Sequence, residues 1–265
     1  MAVRICDRAL LILAACAVLA SGLLACSGGP PPPVRGAQEG FADARRLYEG
    51  GKWEKARLAF ELVIFNHPGS SLVDSAQYLY AMCYFNQDDP VSAAAEFLRV
   101  RTQYPTSALV DDADYMRCLS LLSAAPSNAG LDQEGTAEAV DELLLFKDSH
   151  PLSECVGAAD SLLQLAHGRL SIKDFKTGVL YHRMGQFEAS QIYFQGMIDR
   201  YPESPLVPDA LYYMAEGQRK LDSLDNAIQY YEKLIYIYPD HERTATARKR
   251  VAKISQSRTG AQAAE

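Results

Sequence analysis

Five prolines frame this chain. Pro68, Pro105, Pro151, Pro202 and Pro239 each follow a Tyr or a His, and each stands eight residues before an alanine: Ala76, Ala113, Ala159, Ala210 and Ala247. The intervals between them are 37, 46, 51 and 37 residues. Proline ends helices because it lacks an amide hydrogen and its ring collides with the preceding turn, so its recurrence at this spacing punctuates a helical repeat. A unit of this size cannot bury its apolar face alone and must stack on its neighbours.

Alignment on the prolines gives the packing plan. Twelve residues before each proline is a small side chain and eight before it a large one: Ala56 with Phe60, Ala93 with Phe97, Ala139 with Leu143, Ser190 with Phe194, and Ala227 with Tyr231. Five before it is a third apolar residue, Val63, Val100, Phe146, Met197 or Leu234. Spacings of four and three put all of these on one helical stripe. Beyond the proline, Ser70, Ser107, Ser153 and Ser204 are expected to N-cap the next helix. Gly51, Trp53 and Gly185 fall at the tight turn between paired helices. Nine added residues in the third unit are placed in a surface loop, Ser123 to Gly135, and fourteen before the fourth lengthen the helix after Ser153 by about four turns, keeping its face. The pattern resembles the tetratricopeptide repeat. It implies an all-α fold, a right-handed α-solenoid of about five tetratricopeptide-like helix pairs over residues 37–255, with a disordered tail at 256–265.

The first 25 residues carry Arg4 and Arg8 and then an apolar run from Ala9 to Ala25. At 17 residues it is shorter than the ~20 that a membrane-spanning helix needs. Leu23, Leu24, Ala25 and Cys26 resemble the bacterial lipobox, which implies a lipoprotein signal peptide over 1–25, diacylglycerol on the Cys26 sulfur, cleavage before it and acylation of the new amine. Several acyl chains anchor far more firmly than one. Residues 26–36 then read as a lipidated stalk, since Ser27 to Gly36 contains four consecutive prolines and cannot pack. In the resembled pathway an Asp after the lipid cysteine favours the inner membrane. Here the residue is Ser27, which points to the outer membrane, facing the periplasm.

An apolar content of 48% supports a folded core. Loss of the leader removes Arg4, Arg8 and Asp7 and moves the formal charge from −7 to −8, which argues against nucleic acid as a partner. Besides Cys26, the mature chain holds Cys83, Cys118 and Cys155, with no close pair and no metal spacing, so these are expected as buried thiols. The chain has no phosphate loop, nucleophile elbow or His-Glu-x-x-His motif, and it is read as non-enzymatic, without metal or other cofactor. Asp88, Asp89, Asp111 and Asp112 occupy a turn and a helix start, where acids favour the dipole. His67 and His150 stand where Tyr104, Tyr201 and Tyr238 precede the other prolines, and are expected as packing residues.

An aromatic recurs at one place in each first helix: Phe41, Tyr78, Tyr115, Phe175 and Tyr212. Two readings stand, packed core or the lining of a groove for a partner. Asn86, Gln77, Arg45, Arg183, Arg219 and Lys220 offer polar groups beside them. The last helix, from His241 to Ser255, carries Arg243, Arg248 and Lys249 among its cations, either as a docking helix for an acidic partner or headgroups, or as cations suited to a helix C-terminus.

Such a lipid-attached repeat protein resembles the BamD family of outer-membrane β-barrel assembly lipoproteins. Its most specific segment is Val110 to Ser120, where Ala113-Asp114-Tyr115-Met116-Arg117-Cys118-Leu119 matches an Ala-x-Tyr-Met-Arg-x-Leu stretch. The resemblance implies a scaffold whose C-terminal repeats dock the periplasmic domains of a BamA-like barrel-forming subunit, and whose N-terminal repeats receive C-terminal strand signals of unfolded outer-membrane proteins. Phe41, Tyr78, Tyr115 and Arg117 are the residues expected to do this. The rival readings are a pilotin-type lipoprotein for the secretin of a pilus or secretion system, and a periplasmic cell-envelope adaptor.

Overall fold

The computed structural model describes residues 36–262; the leader, Cys26 and the stalk through Arg35 lie outside the described residues. Among the described residues every regular element is a helix. They form five pairs and a closing helix: α1 (Ala37–Glu49) with α2 (Trp53–Asn66), α3 (Val73–Asn86) with α4 (Pro90–Gln103), α5 (Val110–Ala124) with α6 (Glu134–Ser149), α7 (Val156–Arg183) with α8 (Phe187–Arg200), α9 (Val207–Lys220) with α10 (Leu224–Ile237), and α11 (Glu242–Gln262). Each helix packs on the one before and the one after it, which is the contact pattern of an α-solenoid.

The proline-aligned stripe is the core. Ala56, Phe60, Ala93, Phe97, Ala139, Leu143, Phe194, Ala227 and Tyr231 are all 0% exposed, and Ser190 is 1% exposed. The five alanines after the prolines are also fully buried. A methyl there lets the next helix come close enough for the large side chain opposite to fill the gap, the dense interlock that native interiors require. A second small column, not among the expectations, runs through the first helices. Three residues after each first-helix aromatic stand Ala44, Ala81, Cys118, Gly178 and Ala215, all buried. At Gly178 the column narrows to hydrogen, because a Cβ would lie 2.7 to 2.9 Å from the Phe194 ring.

The inserted residues behave as their composition directs. α7 is 28 residues long against 14 for α3 or α9, so the fourteen-residue insertion is absorbed as helix. The loop between α5 and α6 is tied from inside by Gln133, 1% exposed, whose Nε2 donates to the carbonyls of Pro126 and Asn128 at 3.0 and 3.2 Å.

Two expectations change. Ser70, Ser107, Ser153 and Ser204 stand three residues before their helices begin and do not N-cap them. Each hydroxyl accepts the amide two residues on, of Leu72, Leu109, Cys155 and Leu206, at 3.2 to 3.3 Å. The chain leaves the proline in a separate hydrogen-bonded turn, which a serine oxygen closes as an ST-turn does. In the fifth repeat His241 takes over, Nδ1 accepting from the Arg243 amide at 3.3 Å. The second change is at the C-terminus. α11 runs to Gln262, so residues 256–262 are helical where a disordered tail was expected. Ala247, Val251 and Ile254 seat one face of α11 on the last core cluster and hold the helix in place.

Tight turns between paired helices need a left-handed residue. Gly51 and Gly185 supply it at φ +70° and +76°, and Asp88 and Asp222 at 60° and 55°. Short polar side chains tolerate that region by bonding locally, so aspartate substitutes for glycine 37 residues further on in both halves. Asp89 then N-caps α4, its carboxylate accepting the Ser92 amide at 3.1 Å.

Candidate functional site

The recurrent aromatics meet the core and the surface at once. Each is half-buried and each rests on a buried ring of its repeat partner: Phe41 on Phe60 at 5.7 Å, Tyr78 on Phe97 at 5.6 Å, Tyr115 on Phe146 at 6.2 Å, Phe175 on Phe194 at 5.7 Å, and Tyr212 on Tyr231 at 6.1 Å between centroids. In the third repeat Leu143 holds the large position, so Tyr115 meets the aromatic one turn on. The tilted and edge-on geometries are those that aromatic quadrupoles prefer.

Phe41 and Tyr78 open into one cleft of about 450 Å³, whose walls include Arg45, Tyr48, Leu72, Leu79 and Leu109. α1 and α3 form its sides. Tyr48, two turns after Phe41 on the same face, joins the two aromatics at an i, i+7 spacing that the recurrence across repeats does not reveal. Its ring packs edge-on to Trp53 at 5.0 Å, and its hydroxyl accepts from Asn86 Nδ2 at 3.1 Å. Arg45 sits at the rim, paired with Glu49 at 2.8 Å. Burial, and then the Asp112 carboxylate, push the Tyr78 hydroxyl up to about 12, so it stays protonated and can donate a hydrogen bond. The cleft thus combines apolar walls with hydroxyl and guanidinium donors, a chemistry suited to a peptide with aromatic side chains.

Gln77, read as a groove contact, lies inside: 3% exposed, its Nε2 donates to Glu96 Oε2 at 2.9 Å. Arg117 too stands in the interior, away from the groove surface where it was expected. It is 8% exposed, and its guanidinium reaches Glu142 at 3.0 Å, Glu138 at 3.2 Å and the Ala94 carbonyl at 3.4 Å. Arg101 binds the same Glu142 at 3.1 Å and Asp114 at 3.4 Å, and His150 Nε2 lies 3.0 Å from Asp114. Burial would raise the Glu142 carboxyl, but the bonds from Arg117 and Arg101 outweigh it and hold the group below its usual range. This network ties α4, α5 and α6 together. It accounts for an arginine in the Tyr-Met-Arg segment by architecture.

The other end of the first-helix column is closed. The Arg243 guanidinium lies 4.8 Å over the Tyr212 ring and 5.6 Å from Tyr213, with Nε on Asp209 at 2.6 Å. Phe175 packs against both Phe194 and Tyr213, at 5.7 and 5.9 Å between centroids. Beneath α11, Glu216 accepts from the Tyr231 hydroxyl at 2.6 Å and from Arg219 at 2.7 Å, and Arg250 pairs with it at 3.0 Å. Arg248 and Lys249 point outward and are exposed. Of the three cations picked out for docking, Arg243 therefore fastens α11 to α9, while the other two remain on the surface.

Cys83 and Cys118 are buried, and burial pushes both thiols up to about 12, while Cys155 is half-buried beside Asp112. Among the described residues no three His, Cys, Asp or Glu gather as a metal site. A larger hollow of about 640 Å³ lies between α7 and the Pro202 turn, lined by Leu163, His167 and Tyr201 among others, and contains none of the column aromatics.

Similar solved structures include MamA residues 41-end from Desulfovibrio magneticus RS-1, at 17% identity and a TM-score of 0.39, covering 78% of this chain and 97% of that one. Another is PilF of Pseudomonas aeruginosa, at 16% identity and a TM-score of 0.33, covering 86% and 87%. The outer membrane protein assembly factor BamD of Rickettsia prowazekii (strain Madrid E) is 23% identical over 197 residues, 73% of this chain and 77% of its own. Among the described residues no helix is long and apolar enough to cross a membrane. The family model for the outer membrane lipoprotein YfiO matches residues 35–234, well over half of the sequence and all of the first four helix pairs, and the chain belongs to that family, the BamD family.

Proposed function

We propose that this chain is a non-enzymatic, lipid-anchored scaffold of the outer-membrane β-barrel assembly machinery. Its relative in Rickettsia prowazekii bears the name of an assembly factor. The observation that carries the reading is the cleft of Phe41 and Tyr78, half-buried aromatics that pack on the core and line an open groove, bordered by Arg45. An extended strand ending in aromatic residues lays alternate side chains between such rings and offers its carboxylate to a guanidinium. Tyr115 extends the column toward the third repeat. The C-terminal repeats, with Arg248 and Lys249 exposed on α11, dock the periplasmic domains of the barrel-forming subunit. Cys26 carries the lipid that holds the chain at the outer membrane, facing the periplasm.

Affinity purification from detergent-solubilised membranes tests the assignment. Co-purification of a large barrel protein with periplasmic domains supports it; recovery of a secretin ring instead overturns it in favour of a pilotin. A peptide copying the last strand of an outer-membrane protein is expected to bind, and Phe41→Ala with Tyr78→Ala to weaken it by about tenfold or more. Binding unchanged in that double variant removes the cleft from the mechanism.

A further inference from the structure

The second helix of each pair presents an outward face, and the repeat supplies its own controls there. Ten, six and three residues before each proline lie the positions opposite the core stripe, by the 100° step of the helix. In α2 these are Leu58, Leu62 and Phe65, exposed to 48%, 61% and 82%. In the next four repeats the same triplet is interrupted by Arg99, Asp141, Asp199 and Lys233 among others, all on the surface. An all-apolar triplet at these three positions of the second helix is thus a property of the first repeat alone among the five.

We infer that this stripe rests on a lipid surface. The inference depends on the reading of Cys26 as the lipid anchor. Gly36 follows Cys26 by ten positions, a reach of at most about 35 Å at ~3.3–3.6 Å per residue. α1 begins eleven positions after Cys26 and pairs with α2, so the first repeat is the one nearest the anchor along the chain. Tethering raises the effective concentration of the surface, so three side chains suffice where a free protein would need more. A protein partner asks for a broader patch, typically with a hydrogen-bonding rim, than one stripe of three residues supplies. Lys55 borders the stripe on one side and Glu54 and Glu61 on the other, all exposed, so charge supplies no net attraction to a lipid surface and insertion of apolar side chains drives the contact. The consequence is an orientation: α2 lies against the membrane, and the first-helix layer with its cleft is held on the other side, open to the periplasm.

The test uses the full-length chain in its own membranes, with a photo-reactive benzophenone amino acid at position 65 and, separately, at position 102. Phospholipid adducts are expected at 65 in roughly tenfold excess over 102, since burial of one such side chain is worth at least that factor. Adducts at 65 that contain only protein, or equal lipid yields at both positions, overturn the inference. Incorporation of labelled fatty acid into the wild type and its loss in Cys26→Ser tests the anchor separately. Label without lipid adducts at 65 sinks the stripe and leaves the anchor standing; lipid adducts without label do the reverse.

Discussion

The two ends of this solenoid share one packing scheme and put its aromatics to different uses. In the first two repeats Phe41 and Tyr78 stand on Phe60 and Phe97 and still open into a cleft. In the last, Tyr212 stands on Tyr231 by the same geometry, but Arg243 from α11 covers its free face. Core packing therefore fixes where an aromatic ring lies, and the helix that comes next in the chain governs whether that ring is available. The terminal helix acts as a cap that seals the last apolar face, as the ends of repeat arrays must.

The comparison breaks first at the shared core. Phe60→Ala and Tyr231→Ala should each cost about 3–5 kcal/mol in denaturant titrations. Tyr231→Ala should be the worse of the two, because it also strips Glu216 of a hydroxyl donor at 2.6 Å. Equal losses would mean that this bond adds nothing. Next in size are insertions. Ala93→Leu and Gly178→Ala overfill the two small columns and should cost ~1–3 kcal/mol, read as a fall in melting temperature. An unchanged melt in Gly178→Ala would show that the Phe194 ring moves aside freely.

Arg243→Ala sharpens the contrast directly. Loss of the ion pair and the cation–π contact should cost about 1–2 kcal/mol, and Tyr212 should then become available. Peptide binding that gains a second site in this variant supports the idea of a self-capped groove; an unchanged stoichiometry argues that Tyr212 belongs to the core alone. The smallest effect is in pH. Glu142 and Glu216 both have carboxyls held below the ordinary 4.5, burial opposing the shift and hydrogen bonds, from Arg117 and from Tyr231 and Arg219 respectively, prevailing. A lowered folded value contributes stability that is fully present above 4.5 and is lost as pH falls through the lowered value. Glu142→Gln and Glu216→Gln should each flatten the acid limb of stability against pH, with no change of slope above pH 6 or so.

Much of the core was legible because it repeats. Ala56 and Phe60 alone would be one helical stripe among many, but five copies at a constant offset from proline leave a single register in which all of them are buried. The column of Ala44, Ala81, Cys118, Gly178 and Ala215 is as regular but less legible, since small residues are common in helices and stand out only against the aromatic three before them. The serines after the prolines misled because a hydroxyl that closes a separate turn and one that caps a helix have the same sequence signature. At the site, Phe41 and Tyr78 were legible as a recurrence, while Arg117 and Gln77 were not, for a long polar side chain reaches inward or outward at equal sequence cost. Only partners distant in the chain, Glu142 for Arg117 and Glu96 for Gln77, make the inward position favourable.

By itself the sequence determined the number of helix pairs, the residues that interlock between them and the length of α7, because these follow from local periodicity and from side-chain volume. Tertiary structure decided which aromatics stay open, which arginines become ties and how far the last helix runs. Those outcomes depend on what lies across the gap between helices, and a desolvated guanidinium is stable only where folding brings carboxylates to meet it.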